Sequence, residues 1–271
     1  FASRVDAFAA AFEGVPYVLS PLGEGAGYDP DPLLRYDAVD CLTYVEEVLA
    51  LANTAGDDPL PALLDLRYAH GRPSFGERNH LMISEWIPRN VQKGYLRDIT
   101  REVGGATVVV ATKTVDEALW RRRRGVDLPL DASEVPLGTF SLPIIPIDAF
   151  PSVMAKIPSG TILVVVRQDL AARPYRVSHL GFVVRRGGHL YLRHAAKAGY
   201  QKVVDERLET FVRRNAKYHK WPVAGFHLLQ PLPNETRVAR LTRAGGPVSL
   251  PSPSPGGAPG RAPPRGPSGP R

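Results

Sequence analysis

The chain has 271 residues and a net charge of +7, with 34 Lys and Arg against 27 Asp and Glu, seven His and one Cys. Hydrophobic residues make up 44% and charged residues 23%, the mixture of a globular chain with a sizeable core and not of a disordered or collagen-like one. A single cysteine excludes an internal disulfide, a cysteine-based zinc cluster and a CxxC redox motif. The longest apolar run, Thr161 to Val166, has the length of a strand and falls far short of the ~20 residues that span a bilayer.

Three of the positive charges, Arg261, Arg265 and Arg271, lie in a tail from Gly245 that holds nine prolines and seven glycines. What remains is too small and too dispersed for a nucleic-acid footprint. The run Arg121 to Arg124 reads as a solvated face. Residues 1–243 are expected to form one domain. Residues 244–271, with few apolar side chains to offset ordering entropy, are expected to be disordered. The chain opens on Phe1, and removal of a secretory leader is expected, which places the protein in the periplasm or outside the cell.

Ser3 to Phe12 reads as a helix with Val5, Phe8, Ala9 and Phe12 on one face, stopped by Gly14. Pro16 to Pro32 is rich in proline and glycine and reads as a loop. Asp40 to Ala52 has apolar residues at helical spacing (Leu42, Val45, Val48, Leu49, Ala52), with Asp37 or Asp40 available as a cap. Leu60 to Tyr68, His80 to Gly94 (fraying at Pro88) and Val115 to Arg124 read as further helices. After Pro136 the texture turns to strands: Gly160 to Arg167, then Val177 to Arg185 and His189 to Ala195 around the turn Gly187-Gly188, then Phe226 to Leu229. Helices followed by an antiparallel sheet give an α+β class.

Cys41 falls at the start of the Asp40–Ala52 helix, where free N–H groups and the helix dipole favour a thiolate and hence a nucleophile. The competing possibility is a buried structural thiol. A two-residue loop at Gly187-Gly188 pairs Arg186 with His189 and sets Gly181 opposite His194. His179 and His194 then become diagonal neighbours on one face of the sheet, close enough for one to act as base and the other to orient it. A bulge or longer loop would break this parity. A metal site would need a third ligand such as a carboxylate beside the two histidines, no HExxH-type spacing is present, and no cofactor is expected.

Gly14-Val15-Pro16-Tyr17, Val39-Asp40-Cys41-Leu42-Thr43-Tyr44-Val45-Glu46, Arg67-Tyr68 with Gly71, Arg78 with His80, Trp86 and Asn90, Asp98-Ile99-Thr100, Ser178-His179-Leu180-Gly181 and Leu192-Arg193-His194-Ala195 occur in this order. Together they resemble NlpC/P60-type papain-like cysteine hydrolases, and more closely the DUF1460, N-acetylmuramoyl-L-alanine amidase-like branch. The resemblance implies a papain-like core in which a helix carrying the cysteine packs on an antiparallel sheet carrying the histidine. It implies a peptidoglycan fragment as substrate, including 1,6-anhydro-muropeptides, and a catalytic set of Cys41 as nucleophile, His179 as base and acid, and His194 as the residue that orients His179. Tyr17 matches a tyrosine beside the nucleophile. Leu42 stands where endopeptidase members carry a serine that helps to hold a free L-Ala amine. That departure favours cleavage between N-acetylmuramic acid and L-Ala over cleavage after γ-D-Glu.

The expected substrate contacts are Tyr17, Asp40, Arg67, Arg78, His80, Trp86 and Asn90, with Arg89 as a further carboxylate binder and Tyr95, Trp120 and Asp98 as further sugar contacts. Carboxylate pairs such as Asp65 with Glu85, or Glu46 with Glu47, leave a glycosidase as a minor possibility. The same Cys-His pair would also suit a γ-D-glutamyl–diamino-acid endopeptidase or an acyltransferase, and the fold without catalysis would suit a peptidoglycan-binding module. A monomer with no integral membrane segment and no nucleic-acid partner is expected.

Overall fold

Residues 1–125 and 128–244 are described by a computed structural model. The expected disorder of the 244–271 tail concerns residues that, from Gly245 onward, lie outside the described residues. The N-terminal half supplies helices α1 (Ala2–Ala11), α2 (Cys41–Asn53) and α3 (Leu60–Arg67), close to the expected bounds. His80 to Gly94 is not one helix. A π-helical turn, Met82–Trp86, runs into α4 (Ile87–Gln92), and Pro88 sits in the first turn of α4 instead of fraying it. The wider turn, in which Trp86 N–H reaches back to Leu81 O, comes just before the residue that has no N–H to give.

Strand β1 (Leu96–Asp98), the short helix α5 (Thr100–Gly104) and strand β2 (Val109–Val115) follow. β1 and β2 correct the expectation that strands begin only after Pro136. Along β2 the side chains alternate, with Ala111, Lys113 and Val115 buried and their neighbours exposed. The helix expected from Val115 is the shorter α6 (Glu117–Arg122), capped by the Asp116 carboxylate, which accepts from Leu119 N–H at 2.6 Å. Strands β3 (Gly138–Pro146), β4 (Thr161–Arg167), β5 (Val177–Arg186), β6 (His189–Ala196) and β7 (Lys202–Arg207), helix α7 (Leu208–Ala216), strand β8 (Val223–Pro231) and helix α8 (Glu235–Ala244) complete the order. β3, β7, α7 and α8 were not among the elements expected from the sequence.

The strands form one eight-stranded antiparallel sheet in the order β2-β3-β8-β4-β5-β6-β7, with β1 added along β8. β4 lies inside it and is buried on both faces, which is why its sequence is a continuous apolar run and not an alternation. Ile162, Val164 and Val166 join one core with Val5 of α1, Tyr44, Val45, Val48 and Leu49 of α2, and Trp86. Leu163 and Val165 join the opposite core with Ile99 and Val103 around α5 and Leu208, Phe211 and Val212 of α7. The N-terminal helices therefore cover only one face of the sheet, and α7 closes the other. No helix among the described residues is long and apolar enough to cross a membrane.

Candidate active site

Asp40 fixes the start of α2. Its carboxylate accepts from Leu42 N–H at 2.9 Å and Thr43 N–H at 2.8 Å, and Thr43 Oγ1 accepts from Asp40 N–H at 2.8 Å, a reciprocal capping box. The second carboxylate oxygen takes Ser20 N–H at 3.0 Å. Cys41 is the first residue of the helix, and its own N–H is not among those Asp40 takes. α2 packs on β5, and the thiol is polarised by the backbone of Leu180, the residue after His179.

The thiol does not follow the expectation drawn from the helix start. Burial, and then the Asp40 carboxylate, push it up to about 12, against the smaller pull of the Leu180, Cys41 and Leu42 backbone. Desolvation of a thiolate outweighs the field of the helix N-terminus here. Tyr17 shares this environment: its hydroxyl is raised by burial and then by Cys41 and Asp40. Its backbone bridges Val39, and its N–H donates to Gln201 O at 2.9 Å, so one short segment ties the cysteine helix to the start of β7.

The hairpin carries the second half. Gly187 and Gly188 have φ of +54° and +80°, the left-handed pair a two-residue hairpin loop needs. Arg186 pairs with His189, and the register runs through to Phe182 opposite Arg193. The expected parity holds. Gly181 then sits so close to β6 that a Cβ there would lie 2.7 Å from both Arg193 O and His194 Cβ. One step further, His179 Nε2 and His194 Nδ1 share a hydrogen bond of 2.6 Å, with the rings at 79°. A bulge occurs, but on the other side of β5. Val165 and Val166 of β4 face His179 and Val177, which leaves Ser178 as the extra residue and re-aims the strand at the histidine. Burial, followed by repulsion from His194, Arg214 and Arg167, holds His179 well below the usual imidazole range, so its ring is neutral at neutral pH. No hydrogen bond joins Cys41 to His179 among the described residues.

Behind His194 stands a residue that sequence reasoning does not find. Glu206 Oε2 lies 3.4 Å from His194 Nε2, without hydrogen-bond alignment, and Arg214 of α7 holds the same carboxylate at 3.2 and 2.7 Å. Burial raises the Glu206 carboxyl, but its contacts with His194 and Arg214 outweigh that and keep it below its ordinary value. Phe211 of α7 packs against both imidazoles. Leu208, Phe211, Val212 and Asn215 at helical spacing could have found α7, whereas Glu206 on β7 sits in no alternating pattern.

Most of the expected substrate contacts are otherwise engaged. Arg67, 4% exposed, pairs inside the molecule with Glu46 at 2.5 Å, and Glu46 also accepts from Trp86 Nε1 at 2.8 Å. Trp86 and Asn90 are fully buried, and the Asn90 amide donates to Leu66 O and Trp86 O. These three residues build the core behind α2 and do not reach a substrate. Tyr95 and Trp120 are likewise buried and donate to Asp65 Oδ2 and Leu130 O. Asp40 spends its carboxylate on backbone N–H groups. Arg78 is held by Glu24 and Asp29, and Arg89 by Asn79 and Glu85. His80 is half-buried, bonds Phe75 O at 2.7 Å, and is lowered to about 4, by burial above all. Asp98 caps Thr100. Glu46, Glu47 and Asp65 are buried in internal contacts and Glu85 is paired with Arg89, which removes the carboxylate pairs of a glycosidase.

The family model described as AmiA-like, N-acetylmuramoyl-L-alanine amidase-like, matches residues 7–218. Among solved structures, a Legionella pneumophila protein of the DUF1460 family is 26% identical, with a TM-score of 0.76 over 86% of this chain and 89% of its own. An N-acetylmuramoyl-L-alanine amidase from Bacteroides uniformis is 21% identical, with a TM-score of 0.65 over 84% of this chain and 98% of its own. A Bacteroides fragilis protein whose name proposes a xylanase has the same fold at 21% identity, with a TM-score of 0.65 over 83% of this chain and 99% of its own. No curated protein matches. The family match spans the cysteine helix, the histidine hairpin and α7, and the chain belongs to the AmiA-like, N-acetylmuramoyl-L-alanine amidase-like family.

Proposed function

We propose that this protein is a cysteine amidase of peptidoglycan fragments that hydrolyses the amide between the lactyl group of N-acetylmuramic acid and L-Ala, on a papain-like core of the NlpC/P60 kind. The observation that carries the reading is the 2.6 Å bond between His179 and His194 on the strand whose next residue, Leu180, bears on the Cys41 thiol. With Nε2 committed to His194, His179 has Nδ1 left for the thiol. Both partners rest neutral, so His179 takes the proton as sulfur attacks the lactyl carbonyl. The uncapped N–H of Cys41 is placed to stabilise the oxyanion. His179 then passes its proton to the L-Ala nitrogen, and the carbon–nitrogen bond breaks. Water, deprotonated by His179, hydrolyses the remaining thioester and frees the thiol.

Leu42 supports this bond over the one after γ-D-Glu. Its side chain packs on the core beside Cys41 and offers no acceptor for a free L-Ala ammonium. In the bond proposed here that nitrogen is acylated and carries no charge. Mass analysis of a defined disaccharide-tetrapeptide after incubation tests the assignment. Disaccharide plus intact tetrapeptide supports the amidase, and cleavage after D-Glu makes the enzyme an endopeptidase instead. Disaccharide-tetrapeptide and its 1,6-anhydro form, compared as substrates, decide the preferred sugar end.

A further inference from the structure

Beside the two histidines, on the α7 side of the sheet, opens a cleft of about 170 Å³. Its lining includes Arg167, Ser178, His179, His194, Lys197 and Arg214, and no Asp or Glu. The cations differ in what balances them. Arg214 is neutralised from behind by Glu206, and Lys197 is out in solvent. Arg167, at the end of β4, is half-buried. Its guanidinium donates to Ser178 Oγ at 2.7 Å, to Trp221 O at 2.9 Å and to Asn215 Oδ1 at 3.5 Å, and it lies over the Tyr218 ring at 5.1 Å. All these partners are neutral. A guanidinium taken partly out of water without a counter-ion, held in a fixed orientation and facing a cleft, is prepared for an anion.

We propose that Arg167 binds a carboxylate of the substrate, the α-carboxylate of the D-Glu that follows L-Ala. The assignment rests on the amidase reading above. His179 hands its proton to the L-Ala nitrogen, so the cleft along the His179 ring receives the leaving peptide. In that peptide D-Glu continues through its γ-carboxyl, and its α-carboxylate is the first ionised group beyond the scissile bond. Arg67 and Arg78, the arginines that sequence spacing suggested for this task, are already neutralised by Glu46 and by Glu24 and Asp29.

The test compares two disaccharide-tetrapeptides that differ only in carrying D-Glu or its α-amide, with wild type, Arg167→Gln and Arg167→Lys. Wild type is expected to prefer the acid about 10- to 100-fold in kcat/KM, the scale of one charge-assisted contact. Arg167→Gln is expected to lose that preference through the acid substrate, and Arg167→Lys to recover part of it. Equal kcat/KM for acid and amide with wild type overturns the proposal. So does an Arg167→Gln protein that slows both substrates by the same factor. Thermal unfolding of each variant separates loss of fold from loss of recognition. If wild type cuts neither substrate, the amidase reading fails. Calorimetric binding of the same two compounds to Cys41→Ala then decides the anion site by itself: acid preferred supports it, no preference refutes it.

Discussion

His194 stands between two groups, with Nδ1 bonded to His179 at 2.6 Å and Nε2 facing the Glu206 carboxylate at 3.4 Å. The carboxylate facing Nε2 favours the tautomer of His194 that keeps its proton on that nitrogen and leaves Nδ1 to accept from His179 Nε2–H. In the proposed mechanism Glu206 is thus a positioning residue that acts through His194. Glu206→Gln is expected to lower kcat about 10-fold, ~1.4 kcal/mol of barrier, with KM little changed. A variant that loses stability but keeps the wild-type kcat would leave Glu206 with only a structural role.

Asp40 has two effects that a substitution separates. It caps α2, and its charge helps to hold the Cys41 thiol up at about 12. Asn caps a helix nearly as well as Asp but carries no charge. Asp40→Asn keeps the cap but not the acceptor for Ser20 N–H, so it should lose about 1 kcal/mol of stability, while its thiol becomes more acidic and reacts faster with iodoacetamide at pH 8. A slower or unchanged alkylation rate would contradict the assigned role of the Asp40 charge.

Gly181 is fixed by close approach. Its added Cβ would meet Arg193 O and His194 Cβ, both at 2.7 Å. Gly181→Ala should cost about 1–3 kcal/mol of stability, and it should depress activity further because the atom displaced belongs to His194. Gly187 in the hairpin turn is the control. Its added Cβ meets open space and the cost is only that of φ at +54°, about 1–2 kcal/mol. Gly187→Ala should lose stability on that scale, with kcat kept once measurements are made well below its unfolding temperature.

How far the chain could be read from its sequence differs by kind of interaction. Local rules carried far. Asp40, Thr43 and the apolar spacing of α2 define that helix, and two consecutive glycines fix a register that brings His179 to His194. Regions where short polar and β-branched stretches alternate were less legible. β2 was hidden before a helix that begins only at Glu117, and β7 has only Val203 and Val204 as apolar residues to mark it before α7. Least legible was the state of the charged side chains. Arg67 becomes a core residue because Glu46, one helix away, meets it, and Cys41 is raised and not lowered because desolvation and the Asp40 charge outweigh the helix start. Desolvation is a property of the assembled fold, whereas a helix dipole can be read from sequence.

Glu47 shows the same effect on stability. It is fully buried next to the Glu46–Arg67 pair, accepts from Arg35 N–H at 3.4 Å, and leaves Oε2 without a partner. Burial first, and Glu46 in addition, push its carboxyl up to about 9, against the Arg35 N–H. Between the unfolded value and 9 the folded state keeps a proton that the unfolded chain releases, so stability falls as pH rises through this window. Glu47→Gln imitates the protonated form. It should match wild type near pH 4 and exceed it at pH 8 by about 1–3 kcal/mol in urea unfolding. A variant less stable than wild type at pH 8 would mean that Glu47 is ionised and paired in the fold.

Catalysis by the Cys41 thiol is the central claim. It is tested most directly by following a purified disaccharide-tetrapeptide by mass spectrometry with wild type and with Cys41→Ala, both shown to be folded by circular dichroism. Release of the intact tetrapeptide is expected with wild type, and none above background with Cys41→Ala. Tetrapeptide release by Cys41→Ala at a rate near that of wild type would contradict the claim, because the bond would then be cut without the thiol.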